Sequence, residues 1–214
     1  MTRYKITFLI DKNNDWIEKK IKNLFKNNNK YFFKIEKNFK KIIKQDIVFI
    51  LNYTKILPKS FLENNHLNLV VHASDLPKGK GFAPIQWQIL KNKNKIPICL
   101  VIANEKFDSG GIIDKRYFYL KGHELNDEIR DIQAKETVKT VKNFLKKYPN
   151  FKIKQQIGRS TFFRRRFRSD SELNINSNLK KSFNLLRVVD NKKYPAFFKY
   201  KNNKYIIKIS KIIN

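Results

Sequence analysis

His72 stands at the end of the apolar run "LNLVV" and directly before "ASDLPKGKG", a loop built from Pro77 and the glycines at 79 and 81. It is one of only three histidines in a chain of 214 residues. Asp108 occupies a comparable place farther on, in the turn "NEKFDSGG" that follows the apolar run "IPICLVIA". An imidazole beside a carboxylate can accept and return a proton near neutral pH, and once charged it can stabilise a developing oxyanion. The opposing reading is structural: a histidine hydrogen-bonded at a strand end and an aspartate that serves only its own turn. Spacing alone leaves both open. If the two strands are parallel neighbours, ring and carboxylate meet at one edge of a sheet.

The elements that must hold these groups are legible in the periodicity. "YKITFLID" reads as a strand and "WIEKKIKNLFK" as a helix, in which Trp16, Ile17, Ile21, Leu24 and Phe25 recur at helical spacing. "KYFFKIE", "DIVFILN" and "LNLVV" read as further strands, with "NFKKIIK" a short helix between the first two. This β-α-β alternation predicts an α/β fold with a mainly parallel sheet, in which ligands sit at the carboxyl ends of the strands, where the loop after His72 lies. Pro84 suits the first turn of a helix through "IQWQILKN". "IPICLVIA" and "IIDKRYFYL" are strand-like. A long helix follows, with Leu125, Ile129, Ile132, Val138, Val141 and Leu145 near one side, and it ends before Pro149. The composition then turns polar and basic in "NFKIKQQIGRSTFFRRRFRSDSE", which sets a boundary near residue 150. We expect a core over residues 1–150 and an extension over 151–214, containing a helix at "LKKSFNLLRVV" and a hairpin in "AFFKYKNNKYIIKI".

Composition excludes several classes. An apolar fraction of 41% and an aromatic fraction of 14% suffice for a packed core, so a net charge of +29 does not imply disorder. The lysines are scattered from Lys5 to Lys211 rather than gathered in a stripe, which weakens the case for nucleic acid that such a charge invites. A non-catalytic basic RNA-binding protein would account for the charge, but not for the His, Gly and Asp arrangement. The apolar runs are far too short to span a bilayer, and "ITFLI" is too short for a secretory signal, so a cytoplasmic protein without a membrane partner is expected. Cys99 is alone, so neither an internal disulfide nor a cysteine-based zinc site can form, and no metal is expected. No GxGxxG follows the first strand, which disfavours a dinucleotide cofactor.

"NLVVHASDLPKGKGFAPIQWQIL" followed by "FDSGGII" resembles the formyltransferases that use 10-formyltetrahydrofolate, whose members carry His-x-Ser-x-Leu-Pro, a Gly-rich loop and a later Asp-x-Gly turn. The resemblance implies a Rossmann-like formyltransferase core and places the family's catalytic pair on His72 and Asp108. It assigns cofactor contacts to Ser74, Leu76, Pro77 and Gly81, and to the segment after the strong strand, Ile102, Ala103, Asn104, Glu105 and Phe107. "APIQ" at residues 83–86 is similar to the methionyl-tRNA formyltransferase branch, whereas "STFFRRRFRSDSELN" and "FNLLRVVDNKKYPAFF" are similar to sugar N-formyltransferases of the pseudaminic acid pathway type. The implied substrate is a nucleotide-linked amino sugar, a UDP-linked 4-amino-4,6-dideoxy sugar for surface glycans. Lys78, Trp87, Arg164, Arg165, Asp170 and Arg187 are its expected contacts. Arginine suits bidentate phosphate contacts, with RNA or a solvated turn as rival readings of "RRRFR". The alternative enzyme is a methionyl-tRNA formyltransferase, against which the short extension after the core counts. A homodimer is an open expectation.

The family places Asn two residues before the histidine, where this chain has Val70. Asn68 shares that strand face, about 6–7 Å farther back. Gln86 and Asn68 are the candidate replacement donors to the formyl oxygen.

Overall fold

The computed structural model describes residues 3–12, 14–24 and 31–212. Phe25, expected in the first helix, lies outside them. The strands β1 (Tyr4–Ile10), β2 (Tyr31–Glu36), β3 (Ile47–Leu51), β4 (Leu67–His72), β6 (Lys95–Ile102) and β7 (Ile112–Tyr119) form one sheet in the order β2-β1-β3-β4-β6-β7. The first four run parallel, while β6 and β7 are antiparallel additions at one side. Strand β3 reads as a continuous apolar run, and β1 is buried from Ile6 to Ile10, because both faces of the sheet centre are covered. On one face the helix α4 (Asn126–Lys147) packs Ala134, Val141, Phe144 and Leu145 against Phe8, Phe49 and Leu69. On the other face Phe61, from the short helix α2 (Lys59–Glu63), joins Ile42, Val48 and Ile50.

Asp127 and Glu128 occupy the first turn of α4 and Lys146 and Lys147 its last, each complementing the helix dipole. The segment "WIEKKIKNL" divides into a 3₁₀ turn, Asp15–Ile17, and the helix α1 (Glu18–Leu24), and "NFKKIIK" forms only a 3₁₀ turn at Phe39–Lys41. The helix α3 (Pro84–Leu90) begins at its proline. Beyond residue 150 the helix α5 (Leu179–Val188) and the hairpin of β9 (Ala196–Tyr200) and β10 (Asn203–Ile207) appear where the pattern puts them.

Two further strands of two residues each, β5 (Lys80–Gly81) and β8 (Phe162–Phe163), pair in parallel and carry no period that a sequence could show. Among the described residues no helix is long and apolar enough to cross a membrane, and no group of three or more His, Cys, Asp or Glu gathers as a metal site.

Candidate functional site

The sheet order reverses between β1 and β3, and in α/β sheets the crevice at such a switch point, outside the strand carboxyl ends, is where ligands bind. A cavity of about 320 Å³ opens there. Its wall takes Asn14 from beyond β1, Asn52 and Tyr53 from beyond β3, Val70 to Ala73 from β4, and Val101 to Glu105 from β6 and the loop after it. Phe82 and Phe107, with ring centroids 6.2 Å apart, also line it.

His72 and Asp108 both line this cavity and meet each other, with Nδ1 3.4 Å from Oδ1 and side chains only 8% and 11% exposed. The route differs from the one the sequence suggests. β6 is antiparallel to β4, with His72 opposite Cys99 and Leu69 opposite Ile102, so the chain leaves β6 beside the beginning of β4 rather than beside His72. Asp108 reaches the ring because the loop between β6 and β7 doubles back. That loop is anchored by Ala103 N–H on the Asn68 carbonyl (2.8 Å) and by Gln156, whose side-chain amide donates to the carbonyls of Asp108 and Gly110 (2.8 Å each). Asp108 itself is left-handed (φ 49°), a conformation that Asp tolerates better than most residues.

The Gly-rich loop holds both partners. Its Gly79 carbonyl lies 2.9 Å from His72 Nε2, and its Gly81 N–H donates to Asp108 Oδ2 at 2.8 Å. A carbonyl can only accept, so this contact calls for a proton on Nε2, while Nδ1 faces the Asp108 carboxylate. Gly79 and Gly81 have φ of +74° and +94°, and a Cβ at either would come within 2.6 or 2.5 Å of Phe163, so neither position accepts a side chain without displacement.

Other expected contacts distribute unevenly. Gly81, Ile102, Ala103, Asn104, Glu105 and Phe107 are on the cavity wall. Ser74, Leu76 and Pro77 are not: they are buried beneath the loop, Leu76 packing on Cys99 and Val101, because the loop turns its apolar side chains down onto β6. Cys99 is equally remote from chemistry, since desolvation pushes its thiol up to about 11. Lys78 is exposed and off the wall. Trp87, Arg164 and Asp170 bind one another: the indole N–H donates to the Arg164 carbonyl (2.8 Å), the guanidinium lies 4.9 Å over the indole, and Arg164 pairs with Asp170 (2.8 Å). The Arg164 hydrogen bond, against some desolvation, lowers the Asp170 carboxyl below the usual aspartate range. Arg165 covers the Phe82 ring at 5.3 Å and so borders the cavity.

Two expectations need correction. Arg187 is 1% exposed and bound to Glu124, Asn94 and Asn184, so it cannot touch a ligand in the cavity. Asn68 is buried away from the cavity wall, with its amide donating to the Leu62 carbonyl (2.7 Å) and its oxygen facing Asn65 Nδ2 (3.4 Å), so it is turned toward α2 and not toward the site. Gln86, by contrast, lines the cavity from the first turn of α3. Gln86→Ala is expected to lower turnover by about 10²-fold with little change in folate affinity, the loss typical of one oxyanion donor. Steady-state kinetics paired with folate binding would check this, and an unchanged kcat would remove Gln86 from that role. Asn14, Asn52, Arg130 and Gln133 also line the cavity, and sequence reasoning missed them. The available signal was only that Asn14 and Asn52 follow strand ends.

The sequence profile described as formyl transferase matches residues 4–145. The chain is 29% identical over 152 residues to the methionyl-tRNA formyltransferase of Thermodesulfovibrio yellowstonii, an overlap of 69% of this chain and 49% of that protein. It spans about half or less of the length of the curated relatives it matches. Among solved structures, a methionyl-tRNA formyltransferase from Clostridium thermocellum superposes with a TM-score of 0.84 at 26% identity, over 99% of this chain and 94% of that one. A sugar N-formyltransferase from a Shewanella species superposes with a TM-score of 0.75 at 15% identity, over the full length of both. The profile match alone takes in well over half of the sequence, including both members of the His72–Asp108 pair, and the chain belongs to the formyl transferase family.

Proposed function

We propose that the protein is a sugar N-formyltransferase, moving a formyl group from 10-formyltetrahydrofolate to the amine of a nucleotide-linked amino sugar. The observation that carries formyl transfer is the buried His72–Asp108 pair at the wall of a switch-point cavity, both members held by one Gly-rich loop. The cavity suits a flat heterocycle on an aliphatic and aromatic bed, with Ile50, Leu62, Val70 and Phe107 beside the chain after β6. Residues 102–105 would hold the folate there. When bound, 10-formyltetrahydrofolate supplies an electrophilic formyl carbon joined to a nitrogen leaving group.

His72 would take the proton that the attacking amine loses and return it to the nitrogen leaving group, so that the ring ends the cycle as it began. Asp108, fixed by Gly81 N–H, faces the nitrogen that becomes charged and steadies the imidazolium. Gln86, on the cavity wall where Val70 has no amide, would donate to the formyl oxygen.

The sugar reading is supported by the cationic rim. Arg165 lies over Phe82 at the cavity wall and Arg164 lies over Trp87 in the next turn of chain, guanidinium-on-ring pairs that suit a diphosphate and a base. Residues 151–214 would then serve as the part that reads the carrier. Methionyl-tRNA is the second reading, favoured by the names of the curated relatives. Tetrahydrofolate release with a panel of nucleotide-linked 4-amino sugars, beside Met-tRNA, tests both. We expect turnover with a sugar nucleotide that is little affected by salt, and only weak tRNA retention in a gel shift near physiological ionic strength. Saturable, strongly salt-dependent formylation of Met-tRNA would overturn the sugar reading.

A further inference from the structure

One side chain outside the cavity is wired to the His72 ring. The segment 161–163 lies alongside the Gly-rich loop and pairs with it through its main chain: Lys80 N–H donates to the Thr161 carbonyl (2.9 Å), Phe82 N–H to the Phe163 carbonyl (3.0 Å) and Thr161 N–H to the Pro77 carbonyl (3.3 Å). These bonds would survive any side-chain change. The exception is Thr161 Oγ1, which accepts from Gly79 N–H at 2.9 Å across a separation of 82 residues. The carbonyl of that same Gly79 binds His72 Nε2 at 2.9 Å.

The peptide before Gly79 is therefore set by the Thr161 hydroxyl and the peptide after it, whose carbonyl meets the ring, by Lys80 N–H on the Thr161 carbonyl, so the hydroxyl fixes the rotation of Gly79 between the two. Gly79 has no side chain and sits at φ +74°, so few constraints other than this hydroxyl hold its N–H in place. Asp108 does not supply the same restraint, because its contact with Nδ1 is long, at 3.4 Å.

We infer that Thr161 is a positioning residue, whose hydroxyl acts through Gly79 to hold the His72 ring with its proton on Nε2 and Nδ1 toward Asp108. The kinetic part of this inference rests on the formyl-transfer reading above; the tautomer part does not. The sequence run "STFFRRR" thus has a role for its threonine separate from any ligand contact by its arginines.

Thr161 is exposed, so Thr161→Val removes the acceptor while keeping the branched shape and opening no cavity. One hydrogen bond at this net strength corresponds to a change of about three- to tenfold. We expect Thr161→Val to lower kcat by that factor, to leave KM for the folate unchanged and to displace the pH profile of kcat, with Thr161→Ser restoring all three. Independently of turnover, long-range proton–nitrogen NMR correlations of nitrogen-15-histidine protein, with His72 assigned by its absence in His72→Ala, should show an Nε2-protonated ring in the unaltered chain. Mixed tautomers are expected in Thr161→Val, and the original spectrum in Thr161→Ser.

A His72 ring protonated on Nδ1 in the unaltered chain, or a spectrum that Thr161→Val leaves unchanged, would overturn the inference. So would a fall in kcat that Ser does not restore. Should the valine variant fail to fold, Thr161→Ala gives the same readings. If no amine substrate is turned over while the tautomer shifts as expected, the formyl-transfer reading fails and the positioning role stands.

Discussion

His72→Ala and Asp108→Asn are each expected to lower formyl-transfer turnover by about 10²–10⁴-fold while leaving the thermal midpoint close to that of the parent. The two groups meet at 3.4 Å, are nearly buried and share one loop as their scaffold, and the proposed mechanism uses them as a unit. Effects of residues that act as a unit do not add. The double variant should therefore lose little more than the worse single one, and a product of the two losses would mean independent roles. Asp108→Asn is the sharper test, because asparagine keeps the size and can still accept from Gly81 N–H, but it carries no charge to steady the imidazolium. Single-turnover measurements at saturating folate isolate the chemical step, and near-normal rates in either variant would remove that residue from the mechanism.

The sequence reveals the pair but not the path that joins it. The β-strands announce themselves through apolar runs such as "IVFIL" and "ICLVI", and both groups lie just beyond such runs, so their nearness to a strand end is readable. Strand direction is a property of the connection, not of the run. β6 follows α3 and looks like another crossover, yet it enters antiparallel, and only the doubled-back loop held by Gln156 returns Asp108 to the ring. The β5–β8 pairing is invisible for another reason: two residues per strand are too few for any period, although this contact joins the extension to the Gly-rich loop.

Side-chain direction fails in a third way. Asn68 shares a strand face with His72 in an ideal pleat, but its amide is claimed by the Leu62 carbonyl at the end of α2, a helix that its five residues hardly announce. Arginine in a basic tail suggests a phosphate contact by type alone, and for Arg187 the partner that decides otherwise is a single glutamate 63 residues earlier.

That buried pair carries the largest expected effect on stability. Arg187 donates from Nε to the Glu124 carbonyl (3.1 Å), from Nη2 to Glu124 Oε2 (3.1 Å) and from Nη1 to Asn94 and Asn184 (3.2 and 3.0 Å), with 1% of the residue exposed. It thereby ties α5 to the turn before α4 and to the entry of β6. Removing one member of such a pair strands the other charge without water, at a cost of about 3–5 kcal/mol. Arg187→Met, which keeps the length and apolar stem, should lower the thermal midpoint by roughly 10 °C. Pairing it with Glu124→Gln should recover a good part of that loss, since no charge is then left unpaired.

Acid denaturation gives a second reading with a definite sign. Burial pushes the Glu124 carboxyl up, but hydrogen bonds from the N–H groups of Lys121, Glu124 itself and Gly122, together with the Arg187 charge, pull it below the usual glutamate range. A carboxyl lowered in the folded state stabilises above its unfolded pKa and loses that contribution as pH falls through the folded value. Without Arg187 the folded value rises, so unfolding on acidification should begin at a higher pH than in the parent. Thermal melts taken across the acid range would show this. A melting curve that Arg187→Met leaves unmoved would mean that this buried pair does not stabilise the fold.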